Sequence, residues 1–420
     1  MSAAGTAADY DVVIVGAGLI GAAMALLLRD SGLRLALIDS QPVQAGQPLV
    51  NDPISGSASA TPEFDARVSA ITPASRELFE SIGVWQTMVQ WRASPYTHMH
   101  VRETDGTGSI DFCAADIHAS ALGHIVENRI CVAAMHQKLQ TQPMLDCVMP
   151  ARVDAVSNDQ SVVQLTLDSG RQLTTRLLIA ADGAQSPVRA MTGFTTREWD
   201  YEHEAIVCSV RTEQKHGQCA RQIFMDDGVL AFLPLAAPDD EAGHWCSIVW
   251  SVLPLRAQAL MGLPDEAFCQ TLSYASEHWL GQIQQASTRI SFPLTQRHAV
   301  DYVQGRTVLV GDAAHSIHPL AGQGANLGLA DVAVLARELI KGKAAGRDPA
   351  DPLVLARYQR LRKPHNLSMM LMMEGFKRLY ADQPLAVRWL RNTGMKAVNQ
   401  WPMLKHQLIR EAMGSGIKIS

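Results

Sequence analysis

The residues best equipped for chemistry crowd between Thr307 and Asp331, in TVLVGDAAHSIHPLAGQGANLGLAD. Asp312 follows a short apolar strand pattern, Val308 to Val310, and stands at its carboxyl end, where a carboxylate can accept hydrogen bonds from sugar hydroxyls. After it come His315, His318 and a run of small residues holding Gly322, Gly324 and Gly328, which feeds a helical period from Leu327 to Leu339. An ordinary strand-turn-helix connection needs one glycine; three let something bulky and flat lie against bare main chain. Unpaired N–H groups and the positive end of a helix dipole at such a turn suit the anionic edge of a cofactor. Asp312, His315 and His318 also compose the two-histidine, one-carboxylate set of an iron site, but the flanking glycines favour a flat cofactor, and no metal is expected.

Two further stretches carry the same chemistry. Tyr10 to Val15 reads as a buried parallel strand and is followed by Gly16-Ala17-Gly18-Leu19-Ile20-Gly21, a helix over Ala22 to Arg29, and a second strand, Leu35 to Ile38, ending on Asp39. A lone GxGxxG is a weak signal, but in this β-α-β context, with a carboxylate about twenty positions on for a ribose hydroxyl, it is the dinucleotide fingerprint. Asp39 would repel a 2′-phosphate, so FAD or NAD is expected rather than NADP. In ADGAQSPVR a strand from Leu173 to Ala181 ends on Asp182-Gly183, with Ser186-Pro187 at a helix start and Arg189 close behind, a second polar lip for the same cofactor. Arg67 stands just before a helix capped by Thr72 to Ser75, where a guanidinium either reaches the cofactor or is an ordinary surface charge.

The elements that must position these residues follow from periodicity. Leu78, Phe79 and Ile82 make the apolar face of the helix after Thr72, closed by Gly83, and Asn128 to Leu139 repeats at helical spacing. Hairpins are expected for Tyr96–Val101 with Ser109–Phe112, and for Val162–Leu167 with Leu173–Ala181. Ala205–Arg211, Gln222–Met225, Val229–Pro234 and Cys246–Val252 read as a mainly antiparallel sheet carrying Phe224, Phe232, Trp245 and Trp250, one wall of an apolar chamber, although any single aromatic is more often core. Pro264 to Leu280 is helical, and after Pro352 come helices dense in methionine, notably Met369, Met370, Met372 and Met373. The nucleotide fold is therefore discontinuous.

Composition bounds the class. The 420 residues, 47% of them hydrophobic, suffice for two or three domains with a sizeable core. The most apolar early segment, Val12 to Leu28, is broken by Gly16, Gly18 and Gly21, and the first residues lack the basic region of a secretory signal, so the expected location is cytoplasmic. Seven cysteines without a CxxC pair indicate neither a disulfide framework nor a zinc site. From Arg357 onward 12 Lys+Arg face 3 Asp+Glu, a surplus of +9 that leaves −14 for the rest of a chain whose total is −5. That balance argues against nucleic-acid binding and for a basic tail that meets acidic surfaces such as a partner or anionic lipid.

GAGLIG at 16–21, ADGAQSPVR at 181–189 and GDAAHSIHPLAGQGANLG at 311–328 together resemble the group A FAD-dependent aromatic hydroxylases. HPLAGQGANLG, DARVSAITPASRELFESIGVW, LGHIVEN, FLPL, CSIVWS and LIREAMG resemble the ubiquinone-biosynthesis branch, most specifically its 2-polyprenylphenol 5-position hydroxylase type. The resemblance implies an α/β, p-hydroxybenzoate-hydroxylase-like fold: a discontinuous Rossmann-type FAD domain (1–90, 124–195 and 293–345), a mainly antiparallel β substrate domain (91–123 and 196–292) and a C-terminal helical region (346–420). It puts Gly16, Gly18 and Gly21 at the FAD pyrophosphate, Asp39 at the adenosine ribose, and Arg67 with Glu127-Asn128-Arg129 along the flavin and ribityl chain. Asp182 and Gly183 belong to a motif linked to FAD and the nicotinamide donor, and Asp312 to the ribityl and pyrophosphate region. By the same resemblance Pro319, Gly322, Gly324, Ala325 and Asn326 would pass beneath the isoalloxazine, the last four offering backbone N–H donors to its N1–C2=O edge. The implied chemistry is the cofactor's: reduced FAD and O₂ give a C4a-hydroperoxide attacked by an electron-rich phenol, with NAD(P)H or a protein as reductant. No catalytic base is assigned. A polyprenylphenol substrate lives in the membrane, so peripheral contact with membrane or with other ubiquinone-biosynthesis proteins is expected after Arg357. From another class, an FAD-binding structural subunit without turnover is the alternative; flavin-dependent halogenation would call for a WxWxIP motif, which the chain lacks.

Overall fold

The computed structural model describes residues 8–44, 46, 64–104, 108–159, 161–237, 243–316 and 323–380, the side chains of 323 and 376–380 excepted. Its first sheet has Tyr10–Val15 in its interior, six buried residues, the continuous apolar run that a parallel strand between helical layers needs. Leu35–Ile38 and Gln172–Ala180 flank it in parallel, Leu145–Val148 extends one side, and Thr307–Leu309 pairs in parallel with Gln172–Ala180 on the other. The helices Leu19–Leu28, Asn128–Leu139 and Gln323–Ala344 pack side by side, and the methionine helix Pro352–Tyr380 lies against the last.

Because the strands run in parallel and in register, their carboxyl ends meet. Gly16 N–H donates to the Ile38 carbonyl (2.8 Å), Ala181 N–H to Val15 (2.7 Å) and Val310 N–H to Ala180 (3.0 Å). The three glycine-bearing motifs, far apart in sequence, thus become adjacent loops along one sheet edge, the place where open parallel sheets bind ligands.

A second sheet joins Thr196–Thr212, Trp245–Val252, Gly228–Pro234, Cys219–Met225, His98–Glu103 and Ser109–Cys113, with Ile290–Ala299 and His315–Ser316 on its other side. One face packs Ile206, Cys208, Phe232, Ile248 and Trp250 against the helices Pro254–Met261 and Asp265–Ala275. The opposite, inner face carries two apolar groups. Tyr201, Ala205 and Leu294 cluster with Val249 and Phe292; Val101, Phe224 and Val229 meet Met369 and Met373 of the methionine helix. Of the four aromatics on this sheet, Phe232 and Trp250 are core, the place expected of any single one. Strand alternation sends Phe232 and Trp250 into the helix-covered core and leaves Phe224 and Trp245 on the inner face. A small antiparallel sheet of Val68–Ile71, Gly123–Glu127 and Ser94–Tyr96 packs under Trp245.

Both expected hairpins form, and the helix Asn128–Leu139 has the expected bounds. The helix expected from Leu327 starts earlier, at Gln323, and the fingerprint helix starts at Leu19, so that the last glycine of each motif lies within a first or second turn. The helix expected over Pro264 to Leu280 stops at Ala275. No helix among the described residues is long and apolar enough to cross a membrane.

Candidate functional site

The fingerprint turn divides its glycines between two duties. Gly16 has φ +100°, and a Cβ there would stand 2.4 Å from the Ala181 carbonyl oxygen; one at Gly21 would stand 1.7 Å from the Gly16 oxygen. Both positions are closed by the protein itself. Gly18 is exposed and a Cβ on it would meet nothing within 4 Å, so its main chain is the one a large anionic ligand can approach, at the start of the helix Leu19–Leu28. Asp39 is half-buried beside it; its carboxylate accepts from Ala17 N–H (2.5 Å) and Gln41 N–H (2.8 Å). His136, buried on the helix Asn128–Leu139, props the same turn: its Nδ1 accepts from Gln44 N–H (2.9 Å), which makes Nε2 the donor to the Ala17 carbonyl (2.7 Å). Sequence reading passed over His136, because nothing local distinguishes it from a polar residue closing an amphipathic helix.

In the second motif Gly183 has φ +84°, and Asp182 turns back on its own loop, accepting from Ser186 Oγ and Val188 N–H (3.0 Å). Ser186 caps the helix Pro187–Met191, and Arg189 reaches across to the third motif. Its guanidinium donates to the Ala184 carbonyl (2.8 Å) and the Ala313 carbonyl (2.9 Å). Asp312 is exposed by surface area, although desolvation by the groups packed around it raises its carboxyl pKa, with His315 and Arg67 opposing the shift. Arg67 is itself exposed and lies 5.7 Å from the ring centroid of Phe292 on the inner face of the second sheet. It therefore stands between the Asp312 loop and that apolar wall.

The segment before Arg67 is lashed to the Glu127-Asn128-Arg129 turn. Glu127, 2% exposed, takes Arg92 on one oxygen (2.6 Å) and both Arg129 Nε (3.0 Å) and Asp65 N–H (2.6 Å) on the other. Asp65 accepts from the N–H groups of Arg67 and Arg129, and Asn128 accepts from Ser69 Oγ (2.6 Å) while its N–H meets the Arg67 carbonyl (3.0 Å). The Asn128 side chain thus orients neighbouring chain.

Asn326 is likewise occupied. Its Oδ1 accepts from Thr72 N–H (3.1 Å) and Ser75 Oγ (2.7 Å), and its Nδ2 donates to the Ala70 carbonyl (2.8 Å). Gly324 and Ala325 are half-buried in the first turn of the same helix. Gly328 serves packing rather than the cradle: a Cβ there would come 2.6 Å from Ile20 Cδ1, the side chain that also fills the space at Gly311. Pro319, Gly322 and His318 lie outside the described residues. His315 is buried with Nε2 2.6 Å from Asp331, and the described residues contain no group of three His, Cys, Asp or Glu suited to a metal.

Open main chain at Gly18, a carboxylate at the second strand end and two further loops thus share one sheet edge, with an apolar wall opposite. Residues 9–371 match the FAD binding domain family, and the chain belongs to it as an FAD-dependent aromatic hydroxylase. It is 35% identical over 406 residues to the ubiquinone hydroxylase UbiL of Rhodospirillum rubrum, covering 96% of this chain and 90% of the relative. It is 34% identical over 408 residues to the 3-demethoxyubiquinol 3-hydroxylase of Escherichia coli (96% and 98%). The crystal structure of p-nitrophenol 4-monooxygenase PnpA from Pseudomonas putida has the same fold, with TM-score 0.74 at 18% identity over 96% of this chain and 97% of that one. The particular branch is the ubiquinone-biosynthesis hydroxylases, as the resemblance in the sequence implied.

Proposed function

We propose that this enzyme hydroxylates the ring of a polyprenylphenol, at the 5 position, using O₂ and electrons from NAD(P)H or a protein reductant. The observation that carries the reading is the meeting of Gly18, Asp182-Gly183 and Asp312 along one sheet edge, with Arg67 between that edge and an apolar wall. Bound FAD supplies the oxygen chemistry, and the polypeptide supplies placement. Gly18, between the close-packed Gly16 and Gly21, and the helix start after it would take the pyrophosphate. Asp39 would take the adenosine ribose on the lone pairs its two backbone contacts leave open. Arg67 would border the flavin, its place held by the Asn128 N–H on its carbonyl and by the Glu127 clamp on Asp65 and Arg129. Gly324, Ala325 and Asn326, with Pro319 and Gly322, would offer main chain only, which agrees with an Asn326 side chain already committed to Ala70, Thr72 and Ser75.

The inner wall of Val249, Ala205, Phe292 and Leu294 suits an apolar aromatic substrate and excludes water from the reacting face. A second ring carbon is favoured by one observation, the 34% identity to a 3-demethoxyubiquinol 3-hydroxylase. Complementing strains that each lack one ubiquinone ring hydroxylase, and identifying the intermediate that disappears, decides between them. Rescue of no strain, with no O₂ uptake on a polyprenylphenol, would leave an FAD-binding structural subunit. Contact with membrane or with partner proteins is assigned to the basic region after Arg357, where Leu361, Leu371 and Met372 are exposed on the methionine helix.

A further inference from the structure

A buried polar cluster centres on Asp331, fully enclosed on the helix Gln323–Ala344. Its Oδ2 accepts from Gly311 N–H (3.1 Å) and lies 2.6 Å from His315 Nε2. A single carboxylate oxygen therefore staples both ends of the five-residue turn that carries Asp312. The other oxygen belongs to the methionine helix: Oδ1 accepts from Arg362 Nε (2.8 Å) and Asn366 Nδ2 (3.0 Å). Arg362 also donates to Asn366 Oδ1 (2.8 Å) and the Leu327 carbonyl (3.3 Å), so the two pins brace each other. Arg362 is 2% exposed and Asn366 fully buried.

We propose that Arg362 and Asn366 are positioning residues for the Gly311–His315 turn, acting on the cofactor through Asp331. This rests on the reading of that turn as part of the FAD site. The geometry supports it in three ways. A buried carboxylate held from one side only is free to swing, and here two donors fix the side away from the turn. Gly311 sits at φ +57° with its Cα face against Ile20, so the turn has no slack of its own and depends on that anchor for its orientation. Arg362, Asn366, Met369 and Met373 follow at spacings of four, three and four, one face of the helix, so the element that pins the turn also covers Val101 and Phe224 on the inner wall. The methionine helix is thereby built into the flavin site as well as the chamber.

The test compares Arg362→Met with Leu355→Ala, which loosens the same helix in the apolar core without touching Asp331. Apoprotein is titrated with FAD, and the dissociation constant, the visible absorption of the bound flavin and Tm are read together. Outer partners of metal-holding groups are worth about 10- to 100-fold in affinity, and by the same logic a rise in the dissociation constant of about tenfold or more is expected for Arg362→Met, with a shifted flavin band. Leu355→Ala is expected to lower Tm with affinity and spectrum unchanged. Arg362→Lys, which keeps the charge and loses the brace to Asn366, is expected between wild type and Arg362→Met. If Arg362→Met does not fold, Asn366→Leu is read in the same way. Arg362→Met, or Asn366→Leu in its place, binding FAD as wild type with an unshifted spectrum overturns the inference. A wild-type protein that takes up no FAD instead overturns the reading of the site.

Discussion

Replacing Gly18 and Gly21 by alanine in turn separates ligand approach from folding, although the two lie three residues apart in one turn. At Gly21 a methyl group would come 1.7 Å from the Gly16 carbonyl oxygen, far inside the 3.0 Å below which real Cβ atoms are essentially not found. The helix Leu19–Leu28 would have to retreat by more than an ångström, carrying Ile20 away from Gly311 and Gly328. Overpacking of this kind costs about 1–3 kcal/mol, and here it strikes backbone that cannot turn aside. At Gly18 the methyl group meets nothing within 4 Å, and φ −66° with ψ −167° is open to alanine. The apoprotein of Gly18→Ala should therefore keep its stability to within roughly 0.5 kcal/mol. The same methyl group would stand where the pyrophosphate is proposed to approach, so FAD affinity should fall by at least about tenfold, on the order of 1.4 kcal/mol. Differential scanning fluorimetry of apoprotein and fluorescence titration with FAD read the two quantities separately. Gly21→Ala should lose both, Gly18→Ala only the second. Undiminished FAD binding by Gly18→Ala would remove the pyrophosphate from this turn and refute the reasoning.

Three more outcomes follow from the site. Burial raises the Asp312 pKa, so folding favours its protonated form and the apoprotein loses stability as pH rises from the ordinary carboxylate range through that raised value; Asp312→Asn should raise apoprotein Tm at pH 7 relative to wild type while weakening FAD, and a lower Tm would contradict it. Glu127→Ala leaves Arg92 and Arg129 without their shared carboxylate in the interior and should cost about 3 kcal/mol in chemical denaturation, with weaker FAD binding as the Asp65–Arg67 segment loosens; a loss under 1 kcal/mol would show that the clamp is dispensable. Val249→Phe on the inner wall should raise KM for the aromatic substrate several-fold and leave the flavin spectrum alone, whereas Phe232→Leu on the opposite face should cost about 1 kcal/mol of stability at unchanged KM; an effect on KM from Phe232→Leu would place the chamber on the wrong side of the sheet.

What the sequence determined by itself is local and periodic. Tyr10–Val15 and its glycine turn, the Thr72 cap, the helix Asn128–Leu139 and the hairpin into Ala180 follow from spacing and turn chemistry acting over a few residues, and the structure has them within a residue or two apart from helix starts. The motif glycines are legible as a group, but their separate duties are not. Whether a missing Cβ leaves open space, as at Gly18, or makes room for Ala181 or Ile20, as at Gly16 and Gly328, depends on which chain arrives from elsewhere. Tertiary structure alone decided that the Asn326 side chain would serve Thr72, 254 residues away, and that His136 would hold the Ala17 carbonyl. It also decided that Trp250 faces the helices while Trp245 faces inward, and that methionines of a basic, seemingly peripheral helix cover Phe224 and Val101. The physical reason is register. Parallel pairing brings distant strand ends to one edge, and a buried polar group takes whatever partner that edge delivers, because remaining unpaired in the interior costs more than any local preference can repay.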